Sequence, residues 1–288
     1  MSAQYEAHRY RSACGRLELF ARDYPGDGPP LLLMHGLTRN SADFEGLAEH
    51  LAGRFRLIVP DQRGRGLSQN DPESANYRPD VYAGDMFALL GSLGIERAHL
   101  IGTSMGGLMA MVMAVTQPAR VGAIILNDVG PELDLSGLER IKGYIVDPRP
   151  MESWDACAER CAAINGDAFP DYGPEDWLAF ARRTAREDED GQIVLAYDPA
   201  IAGPLVDAPP EEAVPDLWPV WDMLAEKPVL VVRGANSDLL APATLTKMAE
   251  RHSGPFASVE VPDRAHAPML DEPVALEAID GFLAEHAA

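Results

Sequence analysis

Short, uninterrupted apolar runs alternate along this chain with segments whose apolar residues recur at helical spacing, and no other feature restricts the fold so tightly. Residues 31–34, Leu-Leu-Leu-Met, form such a run. It has no polar face, so a strand there must be covered on both sides, as in the middle of a parallel sheet. Residues 41–51 follow, with Phe44, Leu47, Ala48 and Leu51 at helical spacing behind a capping Asn40 or Ser41. The rhythm repeats with strands at 55–59, 98–101 and 121–126 and helices at 81–93 and 106–115. Alternation of this kind predicts a parallel sheet flanked by helices. Ahead of it, 5–13 and 16–23 alternate around Cys14-Gly15 in the manner of a hairpin.

The rhythm stops after Pro131. Residues 131–219 hold acidic, proline-bounded helical pieces, among them 151–164 and 174–186, with no convincing buried strand. A stretch so long is not a structureless loop within a compact domain, so it reads as a mostly helical insertion. The alternation resumes with a strand at 228–232, a helix at 243–251, a strand at 257–261 and a final helix at 273–285. The expected organisation is a core of 1–130 and 220–288 with a cap of 131–219, a size compatible with one catalytic domain and an added lobe.

Charge narrows the partners. A net charge of −21 repels phosphate backbones and anionic membranes, so nucleic acid and membrane are not expected. The N-terminal residues lack the apolar segment of a signal peptide, and no apolar run is long enough to span a bilayer, which leaves a cytoplasmic location as the expectation. Cys14, Cys157 and Cys161 are expected as free thiols, the last two one helical turn apart with a packing role. No cluster has metal-ligand spacing, and no metal or other cofactor is expected.

The strongest local signal is Gly102-Thr-Ser104-Met-Gly106-Gly107, between a predicted strand and a predicted helix. Small flanking residues permit a tight, strained turn that projects the Ser104 hydroxyl, and the helix N-terminus favours developing negative charge. A serine needs a base and a group to orient it. His266, in a loop beyond the last strand, is the candidate base; the other histidines fall at termini, surface helices or strand starts, and His35 is expected to be buried and to hold its own turn. The acid should lie between nucleophile and base in chain order. Asp238, in Val-Arg-Gly-Ala-Asn-Ser-Asp, is the preferred acid and Asp128, in Leu-Asn-Asp, competes, because a loop after either strand reaches the histidine. The backbone amides of Met105, and of Leu37 in His35-Gly36-Leu37, are the expected oxyanion donors. Asp61-Gln-Arg63-Gly-Arg-Gly66-Leu-Ser68 lacks the dinucleotide and phosphate-loop patterns and reads as a structural loop whose charged groups bind neighbouring backbone. Met105, Met109, Met111 and Met113 read as helix packing.

His35-Gly36, the Asp61–Ser68 segment, the Ser104 turn, the segment with Asp238 and the final His266 occur in the order of the α/β-hydrolase superfamily, which the chain resembles over nearly all its length. Within it, the resemblance is to a capped group that includes esterases, enol-lactonases, C–C hydrolases and cofactor-free haloperoxidases. It implies a mostly parallel eight-stranded sheet with a helical cap after the sixth strand, a Ser104–Asp238–His266 triad, and oxyanion donors at Leu37 and Met105. Ser104 departs from the aspartate nucleophile of haloalkane dehalogenases and epoxide hydrolases, and Leu37-Thr-Arg-Asn40 departs from the glycine-rich segment of C–C hydrolases.

The expected activity is hydrolysis of a small, partly apolar carboxylic ester or lactone by water through an acyl-enzyme. Trp154, Trp177, Tyr197 and Trp218 are expected to line the substrate pocket from the cap. The cap's acidic residues argue against highly anionic substrates. C–C hydrolysis of a vinylogous diketone is an alternative, and a non-catalytic small-molecule receptor another. A monomer and a homodimer both fit the sequence.

Overall fold

A computed structural model describes residues 3–206 and 216–287. The sheet strands are β1 (Glu6–Arg11), β2 (Glu18–Tyr24), β3 (Pro30–Met34), β4 (Arg56–Asp61), β5 (Ala98–Thr103), β6 (Val121–Asn127), β9 (Val229–Gly234) and β10 (Phe256–Val261). Between β6 and β9 lies a hairpin of β7 (Ala185–Glu187) and β8 (Ile193–Leu195). The helices are α1 (Glu45–Leu51), α2 (Pro79–Ser92), α3 (Met105–Thr116), α4 (Leu135–Ile145), α5 (Trp154–Asn165), α6 (Pro174–Thr184), α7 (Gly203–Val206), α8 (Trp218–Asp222), α9 (Pro242–Glu250) and α10 (Pro273–His286).

The eight strands form one sheet in the order β1-β2-β4-β3-β5-β6-β9-β10. Only the β1/β2 and β2/β4 pairs are antiparallel; from β4 to β10 the sheet is parallel. The continuous apolar runs divide by parity between its two faces, as strand geometry requires. Leu32, Met34, Ile124, Leu126, Val229 and Val231 face one core, with α2, α3 and Trp221. Leu31, Leu33, Ala123, Ile125, Leu230 and Val232 face the other, against α1 and α10. The methionines of α3 are buried in the first of these cores.

The insertion after β6 is helical, as expected, and has its own small core of Cys157, Cys161, Phe169, Trp177, Phe180 and Ile193. It also holds the β7/β8 hairpin, which the sequence reading missed: three-residue strands carry too few residues for a period to show. Residues 207–215 of the expected insertion lie outside the described residues. Among the described residues no helix is long and apolar enough to cross a membrane. Cys157 and Cys161 are buried free thiols, whereas Cys14 is exposed.

Candidate active site

The parallel order places β3 between β4 and β5. The chain therefore leaves β3 for one neighbour and later enters the other, and the loops beyond β3 and β5 diverge around a crevice at the strand C-terminal ends. Ser104 stands there, directly between β5 and α3, at φ 52° and ψ −115°. This strained backbone is tolerated because the surrounding packing leaves the turn no other course. A side chain at Gly106 would collide with the Met34 carbonyl and one at Gly102 with the Gly106 carbonyl. Helix and strand can approach so closely only with glycine at both positions. The Ser104 amide donates to the Asn127 carbonyl at 2.9 Å, tying the turn to β6.

Ser104 Oγ lies 2.8 Å from His266 Nε2, and His266 Nδ1 lies 2.8 Å from Asp128 Oδ2. The acid at the histidine is Asp128, and the preference for Asp238 is corrected. Asp128 follows β6 at φ 55° and is fully buried. Its carboxylate accepts from the Gly234 amide at 2.9 Å and from the Ser237 hydroxyl at 2.6 Å as well as facing His266. The loop after β9 does reach the site, but with Ser237. One residue later Asp238 turns toward the cap and takes a bidentate pair with Arg140 of α4, at 2.6 and 2.9 Å. Burial pushes the Asp238 carboxyl up, but the hydrogen bonds and charge of Arg140 outweigh it and hold the pKa below the ordinary value. His266 makes its two ring hydrogen bonds to Asp128 and Ser104 and not to Asp238.

The two expected oxyanion donors lie on either side of Ser104. Met105 is the first residue of α3, where a backbone N–H has no acceptor within the helix. Leu37 lines the cavity in front of Ser104, and Gly36 abuts the Ser104 side chain. Three side chains brace this loop. His35 Nδ1 donates to the Gly36 carbonyl at 2.7 Å and Nε2 accepts from the Gln62 amide at 3.1 Å, as expected for a turn-holding histidine. Burial lowers its pKa to about 4, so it is neutral at pH 7. Arg65, itself buried, donates to the Leu37 carbonyl at 2.9 Å, to the Arg63 carbonyl at 2.8 Å and to the Tyr82 hydroxyl at 2.9 Å. Asp61 accepts the amides of Ser41 and Leu67. The segment from Asp61 to Ser68 is therefore a brace, as its composition suggested. Asn127 escaped the sequence reading: its Nδ2 donates to Pro268 O at 2.8 Å and to Thr103 Oγ1 at 3.0 Å, linking the loop of His266 to β5.

A cavity of about 120 Å³ separates the sheet from the insertion, and Ser104, His266 and Leu37 line it. Of the four aromatic residues expected to line a pocket, Tyr197 does so. The three tryptophans do not. Trp177 packs edge-on to Tyr172 and Phe180 in the core of the insertion, at ring distances of 5.1 and 5.5 Å. Trp154 lies under the Arg182 guanidinium at 4.7 Å. Trp218 donates Nε1 to Glu132 at 2.8 Å beneath the Lys247 ammonium. A small lobe needs bulky residues for its own core, which Trp177 supplies with Trp154 packed against it, whereas Trp218 is buried in the core of the sheet. Tyr144, Phe169, Phe180, Cys157 and Cys161 form much of the actual wall, with Arg39 and Arg160 as its cations.

The comparisons agree with this geometry. Residues 29–172 match a family described as alpha/beta hydrolase fold. The chain is 37% identical over 255 residues to the 3-hydroxybutyrate-oligomer hydrolase of Cupriavidus necator, covering 86% of each chain. It is 30% identical over 271 residues to the 2-(acetamidomethylene)succinate hydrolase of Mesorhizobium japonicum, covering 93% of this chain and 92% of that one. A crystal structure of an alpha/beta hydrolase from Novosphingobium aromaticivorans superposes with a TM-score of 0.91 at 44% identity, covering 99% of both chains. An eight-stranded, mostly parallel sheet, a helical insertion after its sixth strand and a serine at the turn beyond its fifth in chain order are thus accompanied by full-length similarity to hydrolases, and the chain belongs to the α/β-hydrolase fold family.

Proposed function

We propose that this hydrolase cleaves a carboxylic ester or lactone of a small molecule through an acyl-enzyme on Ser104. The observation that carries the reading is the continuous hydrogen-bonded path from Asp128 Oδ2 through His266 to Ser104 Oγ, opening on a cavity between the sheet and the insertion. His266 takes the Ser104 proton as Oγ attacks the carbonyl. Asp128 keeps the Nδ1–H tautomer and stabilises the imidazolium, and the Leu37 and Met105 amides hold the tetrahedral oxyanion. His266 then returns the proton to the leaving alcohol, and water activated by the same ring releases the acid.

The relatives support the substrate range. One is named for hydrolysis of 3-hydroxybutyrate oligomers and the other for hydrolysis of 2-(acetamidomethylene)succinate, both small acids. The cavity, about 120 Å³ and walled by Tyr144, Phe169 and Phe180, suits a compact acyl or alcohol group with some apolar surface.

The test is active-site labelling by a fluorophosphonate with burst release of p-nitrophenol from a short-chain aryl ester. The expected result is one label per chain, on Ser104, and a burst that Ser104→Ala abolishes. A folded protein that neither labels nor shows a burst overturns the reading, and selective turnover of a ring-fission diketone over esters and lactones replaces it with C–C hydrolysis.

A further inference from the structure

The charges around the cavity do not cancel. Arg39 is neutralised in place by a bidentate pair with Asp43, both bonds at 2.6 Å, and its guanidinium stacks 3.9 Å from the Phe180 ring centroid. Among the described residues Arg160, on α5, has no such bidentate partner. Its guanidinium donates to two backbone carbonyls, those of Asp147 and Arg149, in the segment between α4 and α5. The nearest carboxylate among the described residues, Asp147, is 3.7 Å away, and Arg149 already holds it with two hydrogen bonds at 2.8 and 2.7 Å. Two arginines thus face one carboxylate, and the surplus charge belongs to Arg160, the arginine of this group that lines the cavity. The surplus is notable in a protein of net charge −21.

Position strengthens the argument. Arg160, Tyr144 and Ile164 line both the cavity of Ser104 and an outer groove beside the segment between α4 and α5, so the Arg160 side chain forms part of the wall between the two, with its guanidinium held on the carbonyls of the groove-lining Asp147 and Arg149. Tyr197 faces the same cavity, and its hydroxyl has no hydrogen-bond partner among the described residues. Burial pushes the Tyr197 phenol up to about 12, with the Arg160 charge pulling against it, which places the two groups within electrostatic reach and keeps the phenol a donor at neutral pH. A guanidinium flanked by a protonated phenol is a carboxylate receptor. Among the described acidic side chains of the insertion, Glu152, Asp155, Glu159, Asp167, Glu175 and Asp176 are exposed, and Asp147, the one beside Arg160, is already held by Arg149. Solvent screens charges so placed, and a single carboxylate is a smaller load than the highly anionic substrates they are expected to disfavour.

We propose that Arg160, assisted by the Tyr197 hydroxyl, binds a free carboxylate on the substrate, so that the preferred substrates are short esters bearing one carboxylate away from the scissile bond. The proposal rests on the hydrolase reading of the Ser104 site and deepens it.

In each of two pairs of probes of similar length one member carries the carboxylate and the other does not: p-nitrophenyl hemiglutarate against p-nitrophenyl pentanoate, and 4-butanoyloxybutanoate against its methyl ester, with release of butanoate followed in the second pair. The first carries the carboxylate on the acyl side and the second on the alcohol side. In at least one pair the wild-type protein should favour the anion by about tenfold to a hundredfold in kcat/KM, the span of one charge-assisted hydrogen-bonding contact. Arg160→Gln should bring that ratio toward one through KM, and Arg160→Lys should restore part of it. Hydrolysis of all four esters without preference for charge overturns the proposal and leaves the hydrolase standing. Equal losses on both members of a pair in Arg160→Gln overturn it too, because they mark a role in holding the 147–149 segment. If no ester is turned over, the hydrolase reading fails, and calorimetric titration of glutaramate decides the site alone: binding to Ser104→Ala that Arg160→Gln abolishes supports the carboxylate receptor, and equal or absent binding overturns it.

Discussion

The Ser237 hydroxyl and the His266 ring converge on one oxygen, Oδ2 of Asp128, at 2.6 and 2.8 Å. The other oxygen is occupied by the Gly234 amide. Three bonds on two oxygens hold this buried carboxylate from β9 and from the histidine loop, so its orientation is fixed before substrate arrives.

Exchanging the two candidate acids separates their roles. Asp128→Asn should lower kcat by about 10⁴-fold, because an amide at this position favours the wrong histidine tautomer. Asp238→Asn should change kcat by less than about tenfold, its main effect being a looser contact between the β9 loop and α4. Steady-state kinetics on one activated ester checks both, and the reverse ranking would restore Asp238 as the acid.

Ser237→Ala removes one donor to the Asp128 carboxylate and leaves the amides of Leu239 and Leu240 without their acceptor. A buried charged acceptor that loses a hydrogen bond loses about 1.5–3 kcal/mol. The expected outcome is a fall in kcat of about tenfold to a hundredfold with KM little changed. Parallel urea unfolding tells misorientation of the acid from global destabilisation.

Arg65 holds the Leu37 carbonyl and thereby the peptide plane beside the proposed oxyanion donor. Arg65→Lys retains the charge but not the fork that spans Leu37, Arg63 and Tyr82. The loss should appear in kcat, about tenfold or more, because the oxyanion exists only in the transition state. A rise in KM alone would show that the loop serves ground-state binding instead.

Arg63 makes a buried pair with Asp85 through two bonds at 2.8 Å and a third contact with Asp71 at 2.5 Å. Arg63→Met leaves two buried carboxylates without their cation. Unfolding free energy should fall by about 3–5 kcal/mol, read from the urea midpoint at constant m-value.

Acid stability follows from two histidines. Burial lowers the pKa of both His35 and His99 to about 4 from an ordinary 6.5. Below pH 6.5 the unfolded chain takes up protons that the folded one refuses, so the stability these rings contribute is complete above 6.5 and is lost as pH falls toward 4. Each approaches a slope of about 1.4 kcal/mol per pH unit within that window. Asp85 and Asp271, raised by burial, work in the opposite sense. The measurement is therefore the difference in unfolding free energy between wild type and His99→Asn from pH 7 to 4.5, which should shrink as the pH falls; a constant difference would show that His99 titrates normally.

Much of this architecture could be read directly from residues. Runs such as 31–34 are legible because both faces of a central parallel strand are covered, and Gly102 and Gly106 because no other residue allows α3 so near β3 and β5. The acid was not legible, for a geometric reason. Asn127 pairs with Val232 in the sheet, so the residues that follow β6 and β9 emerge side by side at the same height. Reach is equal for both loops, and what decides is the positive φ of Asp128 together with a serine, not a carboxylate, arriving from β9. The tryptophans failed for a different reason: on a small lobe, an aromatic residue that fills the core and one that faces a cavity have the same spacing. Arg160 carried no signal in the sequence because its significance depends on which neighbour Arg149 chooses.

The groups that meet at the site come from the turn after β5, the end of β6 and the loop after β10, and β10 is an edge strand laid down last. His266 is therefore carried to the Ser104 hydroxyl by the outermost strand of the sheet. The proposed proton path thus hangs on the last pairing in the sheet, that of β10 with β9, and a change that loosens this edge is expected to silence Ser104 without touching any group of the path.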